Sequence, residues 1–231
     1  MPQDHPHEHH GHEHHGHGHA HDDGHGHAHP HPVTPERAEE IGYHQRLGEA
    51  VRALLIEKGV LTADEIRRQI EKMDARSPAL GARVVARAWA DPAFKARLLA
   101  DGSAACRELG LEIGPTRLIV VENTAELHNL VVCTLCSCYP RAVLGLPPDW
   151  YKSRDYRARA VREPRAVLAE FGTVLPPGVA VRVHDSTADM RYLVLPRRPA
   201  GSEGLDEPAL AALVTRDSMI GVAAARPAAG A

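Results

Sequence analysis

The sequence predicts an α+β fold, with helices in the first half of the chain and short strands in the second half. Three observations support this prediction. Apolar residues recur at helical spacing between residues 36 and 99. Residue types that cap or begin helices separate these stretches. From about Arg117 the pattern changes to short β-branched runs that are typical of strands.

The first helix is predicted over residues 36–58, where apolar side chains follow one face until Gly59 ends it. A second helix begins after Thr62. Glu65 follows Thr62 at the spacing of a capping box, in which each side chain accepts from a backbone N–H at the helix start. The second helix is expected to end before Pro78, because the residue before a proline avoids helical geometry.

A third helix is predicted over residues 80–90. Asp91 and Pro92 then supply an N-cap and a first-turn proline for a fourth. In the second half of the chain, four runs have strand character, and one more helix is predicted after them. The strands are expected at residues 118–121, 130–132, 179–183 and 191–195, and the final helix at residues 207–215.

These elements suggest three regions, which are a His-rich tail (residues 1–34), a helical arm (35–115) and an α+β metal-binding domain (116–231). The first 32 residues hold 14 of the 17 histidines, five acidic residues and no Lys or Arg, so disorder is predicted there. Two interpretations of this tail stay open. It is either a weak store for nickel, cobalt, zinc or copper ions, or a solvated segment that binds metal only incidentally.

The remaining 199 residues carry 27 basic and 25 acidic side chains, a net charge of +2. This balance excludes the strongly basic signature of nucleic-acid binding and gives no reason to expect attraction to a membrane. No apolar run approaches the roughly 20 residues that span a bilayer. The sequence therefore predicts a soluble, cytoplasmic protein without nucleic-acid or membrane partners.

Three of the four cysteines fall at Cys133, Cys136 and Cys138. The sulfur atoms of Cys136 and Cys138, together with the backbone nitrogens of Ser137 and Cys138, can form a planar set of four donors closed by small chelate rings. Cys133 can cap one axial position of the same ion. The opposite axial position would stay open to water or substrate, which is the property of a catalytic rather than a structural metal centre.

Three other interpretations of the cluster remain open at this point. His128 could complete a structural zinc site with the three cysteines, although one residue between the last two is tight for a tetrahedral ion. An iron–sulfur cluster would need Cys106, which lies far upstream in a predicted helix. A redox pair from Cys133 and Cys136 would not require Cys138.

The sequence around the cluster resembles the α subunit of nitrile hydratase. The resemblance spans about residues 36–222 and is most specific at the cysteines and the proline-rich stretch that follows them. It is carried by Val-Cys-Thr-Leu-Cys-Ser-Cys-Tyr-Pro at 132–140, Val143 to Pro148, Trp150-Tyr151-Lys152, Tyr156 to Arg159, Arg162 to Arg165, Arg191-Tyr192, Leu195-Pro196 and Arg198 to Gly201.

This resemblance implies a layered α/β/β/α domain that hydrates nitriles to amides at one Co(III) ion per chain. The implied metal ligands are Cys133, Cys136, Ser137 and Cys138, with Cys136 as a sulfinate and Cys138 as a sulfenate. Thr134 and Tyr139 match the residues found in cobalt-type members of the family, and Fe(III) is the alternative metal.

The implied partners are a β subunit, which supplies arginines to the oxidised cysteines, and an activator that loads the metal. The helical first half would then lie across the β subunit, although its apolar faces could equally pack on the chain's own core. A different functional class is also possible from these features, namely a metal carrier that binds its ion through the histidine tail and the cysteines.

One residue departs from the family pattern. Arg141 stands where many α subunits have Trp, and residues 141–198 carry 11 basic against 6 acidic side chains. A cationic pocket would suit an anionic substrate, and the related thiocyanate hydrolase γ subunit shares the metal motif. The other interpretation places these arginines in solvent or at the subunit interface.

Overall fold

The computed structural model describes residues 42–228, so the predicted His-rich tail lies outside the described residues. By their internal contacts, the residues divide at Leu55 and Ile56. The first unit contributes most of helix α1, which spans Tyr43–Glu57. The predicted boundaries at residues 34 and 115 stay predictions.

The second unit contains the other helices and all four strands found in the described part of the chain. Their bounds are α2 Ala63–Asp74, α3 Pro78–Ala90, α4 Pro92–Ala100, α5 Gly102–Glu108, β1 Arg117–Glu122, β2 Leu127–Val132, α6 Arg141–Leu144, α7 Asp149–Lys152, α8 Arg154–Arg162, α9 Pro164–Glu170, β3 Ala180–Asp185, β4 Met190–Leu195, α10 Glu207–Ala212 and α11 Arg216–Ile220.

The predicted helix starts are confirmed by their caps. Thr62 and Glu65 form both hydrogen bonds of the capping box, and the Asp91 carboxylate accepts from Ala93 N at 2.9 Å and Phe94 N at 3.0 Å. Short helices were harder to predict. α5 to α9 were not identified, because segments of four to nine residues show too few turns to reveal a helical period.

The strands pair as two separate two-stranded parallel sheets, β1 with β4 and β2 with β3. Helices α4 and α5 pack on β1, α8 packs on β2, α9 packs on β3, and the two sheets meet where β2 contacts β4. This order of helices, sheet, sheet and helices confirms the predicted α+β class and its layers.

The core lies where these layers meet. Val84 of α3, Phe94 and Leu98 of α4, Leu130 of β2 and Leu193 of β4 are all at most 2% exposed. The apolar faces of α3 and α4 therefore pack on the chain's own core, whereas Ile70 and Met73 of α2 are exposed. Within residues 42–228, no helix has both the length and the apolar composition needed to span a membrane.

Candidate metal centre

The three clustered cysteines follow directly on strand β2, which ends at Val132. Their sulfur atoms all lie within 4.8 Å of one another. Cys133 Sγ is 3.6 Å from Cys136 Sγ, and Cys136 Sγ is 3.4 Å from Cys138 Sγ. Cys133 is fully buried, Cys138 is half-buried and Cys136 is exposed, so the cluster leads from the end of the strand to the surface.

These distances fit three thiolates on a single ion. At a metal–sulfur distance of about 2.3 Å, two sulfur ligands are about 3.3 Å apart at a right angle and about 3.8 Å apart at a tetrahedral angle. Both measured separations fall within this range. The backbone N–H groups of Ser137 and Cys138 both contribute to lowering the pKa of the Cys136 thiol, which is consistent with both predicted nitrogen donors lying beside the cluster.

The parallel pairing of β2 and β3 anchors the first part of the cysteine loop. Val132 is paired with Asp185, the last residue of β3, so the carboxyl ends of the two strands meet at one edge. The Asp185 carboxylate accepts from Thr134 N at 2.9 Å and also from the Thr134 hydroxyl. A residue 51 positions away therefore fixes the turn between Cys133 and Cys136.

Helices α7 and α8 hold the rest of the loop through its carbonyl oxygens. Tyr151 Oη donates to Cys138 O at 2.8 Å, and Arg157 Nη1 donates to Cys136 O at 2.8 Å. Tyr156 Oη donates to Val131 O at 2.6 Å, which ties α8 to β2. Nothing in the sequence spacing of Tyr151, Tyr156 and Arg157 shows that their side chains reach the cysteine loop, so their role follows only from the fold.

Hydrogen bonding and burial move the pKa values of the two outer cysteines in opposite directions. The pKa of Cys136 is lowered to about 7, first by the Cys138 thiol and then by the Ser137 N–H and the Cys133 thiol. Burial, followed by the bond to Cys136, raises the pKa of Cys138 to about 12. Without a metal, the exposed Cys136 therefore loses its proton more readily than Cys138 does.

A cavity of about 370 Å³ opens beside the cluster. Its walls include Cys136, Ser137 and Cys138 together with Arg76, Arg141 and Arg191, and no Asp or Glu lines it among the described residues. None of the three arginines takes part in the salt bridges found within residues 42–228. The structure therefore places three cations at a cavity that the cysteines share.

Two other interpretations of the cluster need a fourth ligand, and the fold places both candidate ligands elsewhere. Both ring nitrogens of His128 are engaged elsewhere, Nε2 with Gly221 O at 2.7 Å and Nδ1 with the Asn123 amide at 3.4 Å. Cys106 is fully buried in α5 and does not belong to the sulfur cluster. The zinc site completed by His128 and the iron–sulfur site completed by Cys106 are therefore wrong for this fold.

Comparison with known proteins agrees with this geometry. The family model described as the nitrile hydratase α chain matches residues 43–223. The α subunit of a low-molecular-weight cobalt-containing nitrile hydratase from Rhodococcus rhodochrous is 53% identical over 190 residues, which cover 81% of this chain and 90% of the relative. The thiocyanate hydrolase γ subunit of Thiobacillus thioparus is 44% identical, with 82% and 83% covered.

Solved structures show the same fold. A recombinant thiocyanate hydrolase with partially modified cobalt centres superposes with a TM-score of 0.76 at 44% identity, covering 81% of this chain and 92% of the other. An Fe-type nitrile hydratase variant from Comamonas testosteroni Ni1 gives 0.73 at 43% identity, with 79% and 90% covered. By its family match, its identity to these relatives and its cysteine cluster, the chain belongs to the nitrile hydratase α-chain family.

Proposed function

We propose that this chain is the catalytic α subunit of a cobalt-type nitrile hydratase, which adds water across a carbon–nitrogen triple bond to give an amide. The observation that carries the proposal is the convergence of Cys133, Cys136 and Cys138, the cysteines of the family motif, at one end of β2 beside a cavity. The reaction adds water without net oxidation or reduction.

In this proposal the three sulfurs and the backbone nitrogens of Ser137 and Cys138 would hold one Co(III) per chain. The ion would supply Lewis-acid chemistry beside the cavity that Cys136, Ser137 and Cys138 line. The choice of cobalt is supported by Thr134 and Tyr139 in the motif and by the name of the R. rhodochrous relative. Fe(III) is the alternative, since an Fe-type enzyme is among the similar structures.

We further propose that molecular oxygen, as the external oxidant, converts Cys136 to a sulfinate and Cys138 to a sulfenate, while Cys133 stays a thiolate. Thiol oxidation follows access to solvent. Cys136 is exposed, Cys138 is half-buried and lines the cavity, and Cys133 is fully buried. The oxygen on Cys138 would then lie at the cavity wall, where it can take a proton from attacking water or act as the nucleophile.

The proposal includes a β subunit, a metal-loading activator and a cytoplasmic location. Exposed Ile70 and Met73 on α2 support the arm-like packing of this helix on a partner. All four cysteines are free, which suits a reducing compartment.

The deciding measurement is mass spectrometry of the tryptic peptide Leu118 to Arg141 from complex produced with its β subunit and cobalt. Two added oxygens on Cys136 and one on Cys138, together with amide formation from a nitrile, are the expected result. Unmodified cysteines in a cobalt-replete sample would overturn the proposed maturation. Rapid loss of cobalt to a chelator would instead support the metal carrier.

A second candidate is a thiocyanate hydrolase γ-type subunit, favoured by the three arginines in the cavity wall and by the 44% identical relative. A cationic wall attracts an anion such as thiocyanate. Parallel assays with thiocyanate and with neutral nitriles distinguish the two. The variant Arg141→Gln should weaken thiocyanate turnover if this candidate is correct, whereas the exposed control Arg162→Gln should not.

A further inference from the structure

We propose that Arg157 is a positioning residue for the metal centre, because it binds the oxygen of the one peptide group that joins Cys136 to Ser137. The inference rests on the proposed function in one respect, namely that the Ser137 nitrogen is a metal donor. Within residues 42–228, the hydrogen bonds found for Arg157 go to neither a sulfur atom nor a predicted nitrogen donor. Its contact is with the carbonyl at the other end of the donor's own peptide group.

The contact is specific. Arg157 Nη1 lies 2.8 Å from Cys136 O, and Arg157 Nε lies 3.4 Å from Ser153 O, so both bonds go to neutral backbone oxygens. Arg159, two residues later on the same helix, contacts three carboxylates. No such ion pair is found for Arg157 within the described chain, and its positive charge is therefore directed to the cysteine loop.

Hydrogen bonds made by its neighbours Tyr156 and Ser153 hold Arg157 in position. Its neighbour Tyr156 is only 5% exposed and donates from its hydroxyl to Val131 O in β2. Ser153 caps the helix by accepting from Tyr156 N at 3.1 Å. Strand β2 runs directly into Cys133 and also accepts the hydrogen bond from Tyr156. The helix that carries Arg157 and the loop that Arg157 contacts are therefore both attached to β2.

The chemical consequence follows from the peptide group itself. Its nitrogen and oxygen are conjugated, so electron density is shared between them and the group is planar. A guanidinium on the oxygen both fixes the plane in which the nitrogen lies and offsets negative charge on the group. Hydrogen bonds from a charged donor are about twice as strong as neutral ones, and residues that orient metal ligands typically change affinity or activity about 10- to 100-fold when replaced.

Tyr151 provides a matched comparison within the same loop. Its hydroxyl donates to Cys138 O at 2.8 Å, the distance found for Arg157. That carbonyl belongs to the peptide group of Tyr139, whose nitrogen is not a predicted donor. If Arg157 acts on the metal donor, loss of its hydrogen bond must affect cobalt binding more than loss of the Tyr151 hydrogen bond does. If both hydrogen bonds only anchor the loop, their loss must affect cobalt binding equally.

The experiment uses the complete complex with its β subunit, produced with cobalt, and compares wild type, Arg157→Met, Arg157→Lys and Tyr151→Phe, with Arg162→Met as a surface control on the same helix. The readouts are cobalt content, the half-life of cobalt under a chelator, the sulfur-to-cobalt absorption band, and kcat and KM for a nitrile. Circular dichroism and subunit stoichiometry check that each variant is folded and assembled.

We expect Arg157→Met to shorten cobalt retention about 10- to 100-fold and to shift the absorption band. Arg157→Lys should recover part of both effects, Arg162→Met should match wild type, and Tyr151→Phe should change cobalt retention and the absorption band clearly less than Arg157→Met does. Unchanged cobalt retention and absorption in assembled Arg157→Met, or equal changes in Tyr151→Phe, would overturn the inference. If Arg157→Met does not assemble, the same comparison is made between Arg157→Lys and Tyr151→Phe.

Failure of the proposed function would look different. In that case the wild-type complex itself would bind no inert cobalt or would leave every nitrile unhydrated. Failure of the present inference leaves wild-type cobalt binding and hydration intact.

Discussion

Asp185 holds Thr134 through its backbone N–H and its hydroxyl, although the two residues belong to different strand ends. Asp185 closes β3, and Thr134 lies two residues beyond the end of β2. The parallel register pairs Val132 with Asp185 and so brings Asp185 to the sheet edge where Thr134 lies. The cysteine loop is therefore part of the sheet edge rather than an independent chelating peptide.

Replacing Asp185 by Ala should loosen the loop, because Thr134 N would lose its acceptor. We expect a loss of about 1.5 to 3 kcal/mol in the free energy of unfolding, the usual contribution of hydrogen bonds to a charged group, with the exposed acceptor tending toward the lower figure. Cobalt content of the complex should also fall. Urea unfolding and metal analysis measure these effects. The control is Asp189→Ala, since Asp189 is likewise exposed, and none of the side-chain hydrogen bonds found within residues 42–228 joins it to the loop. Equal effects in the two variants would contradict the prediction.

Gly221 should not tolerate a side chain. Its φ is +91°, and an added Cβ would lie 2.1 Å from the carbonyl oxygen of Asn129 in β2. Gly172 has a similar φ of +81° but nothing within 4 Å, so Gly172→Ala isolates the backbone strain, about 1 to 2 kcal/mol. Gly221→Ala should add about 1 to 3 kcal/mol for the clash. Similar unfolding free energies for the two variants would show that α11 can shift away from β2.

One buried and one half-buried histidine should make the fold less stable in mild acid. Burial lowers the pKa of His128 and of His184 below the ordinary value of 6.5, so the unfolded chain binds more protons than the folded chain just below that pH. The free energy of unfolding should therefore be at its full value above about pH 6.5 and fall as the pH decreases toward the folded pKa values.

Urea titrations at about pH 7.5 and pH 5.5 test this, because carboxylates with ordinary pKa values stay ionised over most of that range. The variant His184→Gln keeps a hydrogen-bond donor for Asn129, which His184 contacts at 2.8 Å. Its unfolding free energy should vary less with pH than that of wild type. A variant with the wild-type pH dependence would refute the assignment for His184.

The cysteines should react in a fixed order with iodoacetamide in metal-free protein near pH 8. Cys136 is exposed and its pKa is lowered to about 7, whereas burial raises the pKa of Cys106 to about 12. Cys136 should be alkylated first and Cys106 only after unfolding. Peptide mass mapping over time gives the order. Early labelling of Cys106 would mean that α5 opens in the native state.

The sequence predicted best those features whose cause is local. The caps at Thr62 and Asp91 act within three residues, and the helices after them begin at the next residue, as predicted. The strands were located within about three residues of their bounds, because short apolar runs and alternation of apolar with polar residues are local patterns of strands. Short helices such as α6 and α7, with four residues each, had no periodicity to read.

The metal ligands belong to the same class of local features. Cys133, Cys136 and Cys138 lie within six residues of one another, so their spacing alone was enough to predict a shared ion, and the distances between sulfurs agree. Sequence spacing left open the possible fourth ligands His128 and Cys106. Only the fold removed them, by engaging one in hydrogen bonds and burying the other in α5.

What the sequence by itself determined is therefore the chemistry of the centre, because chelation by neighbouring residues needs no distant contact. What only the tertiary structure decided is the support of that centre. The pairing of β2 with β3 brings Asp185 to Thr134, and the packing of α8 on β2 brings Arg157 to Cys136 O. Such contacts join residues that are 21 and 51 positions apart, and they depend on strand register and helix packing, which no local pattern specifies.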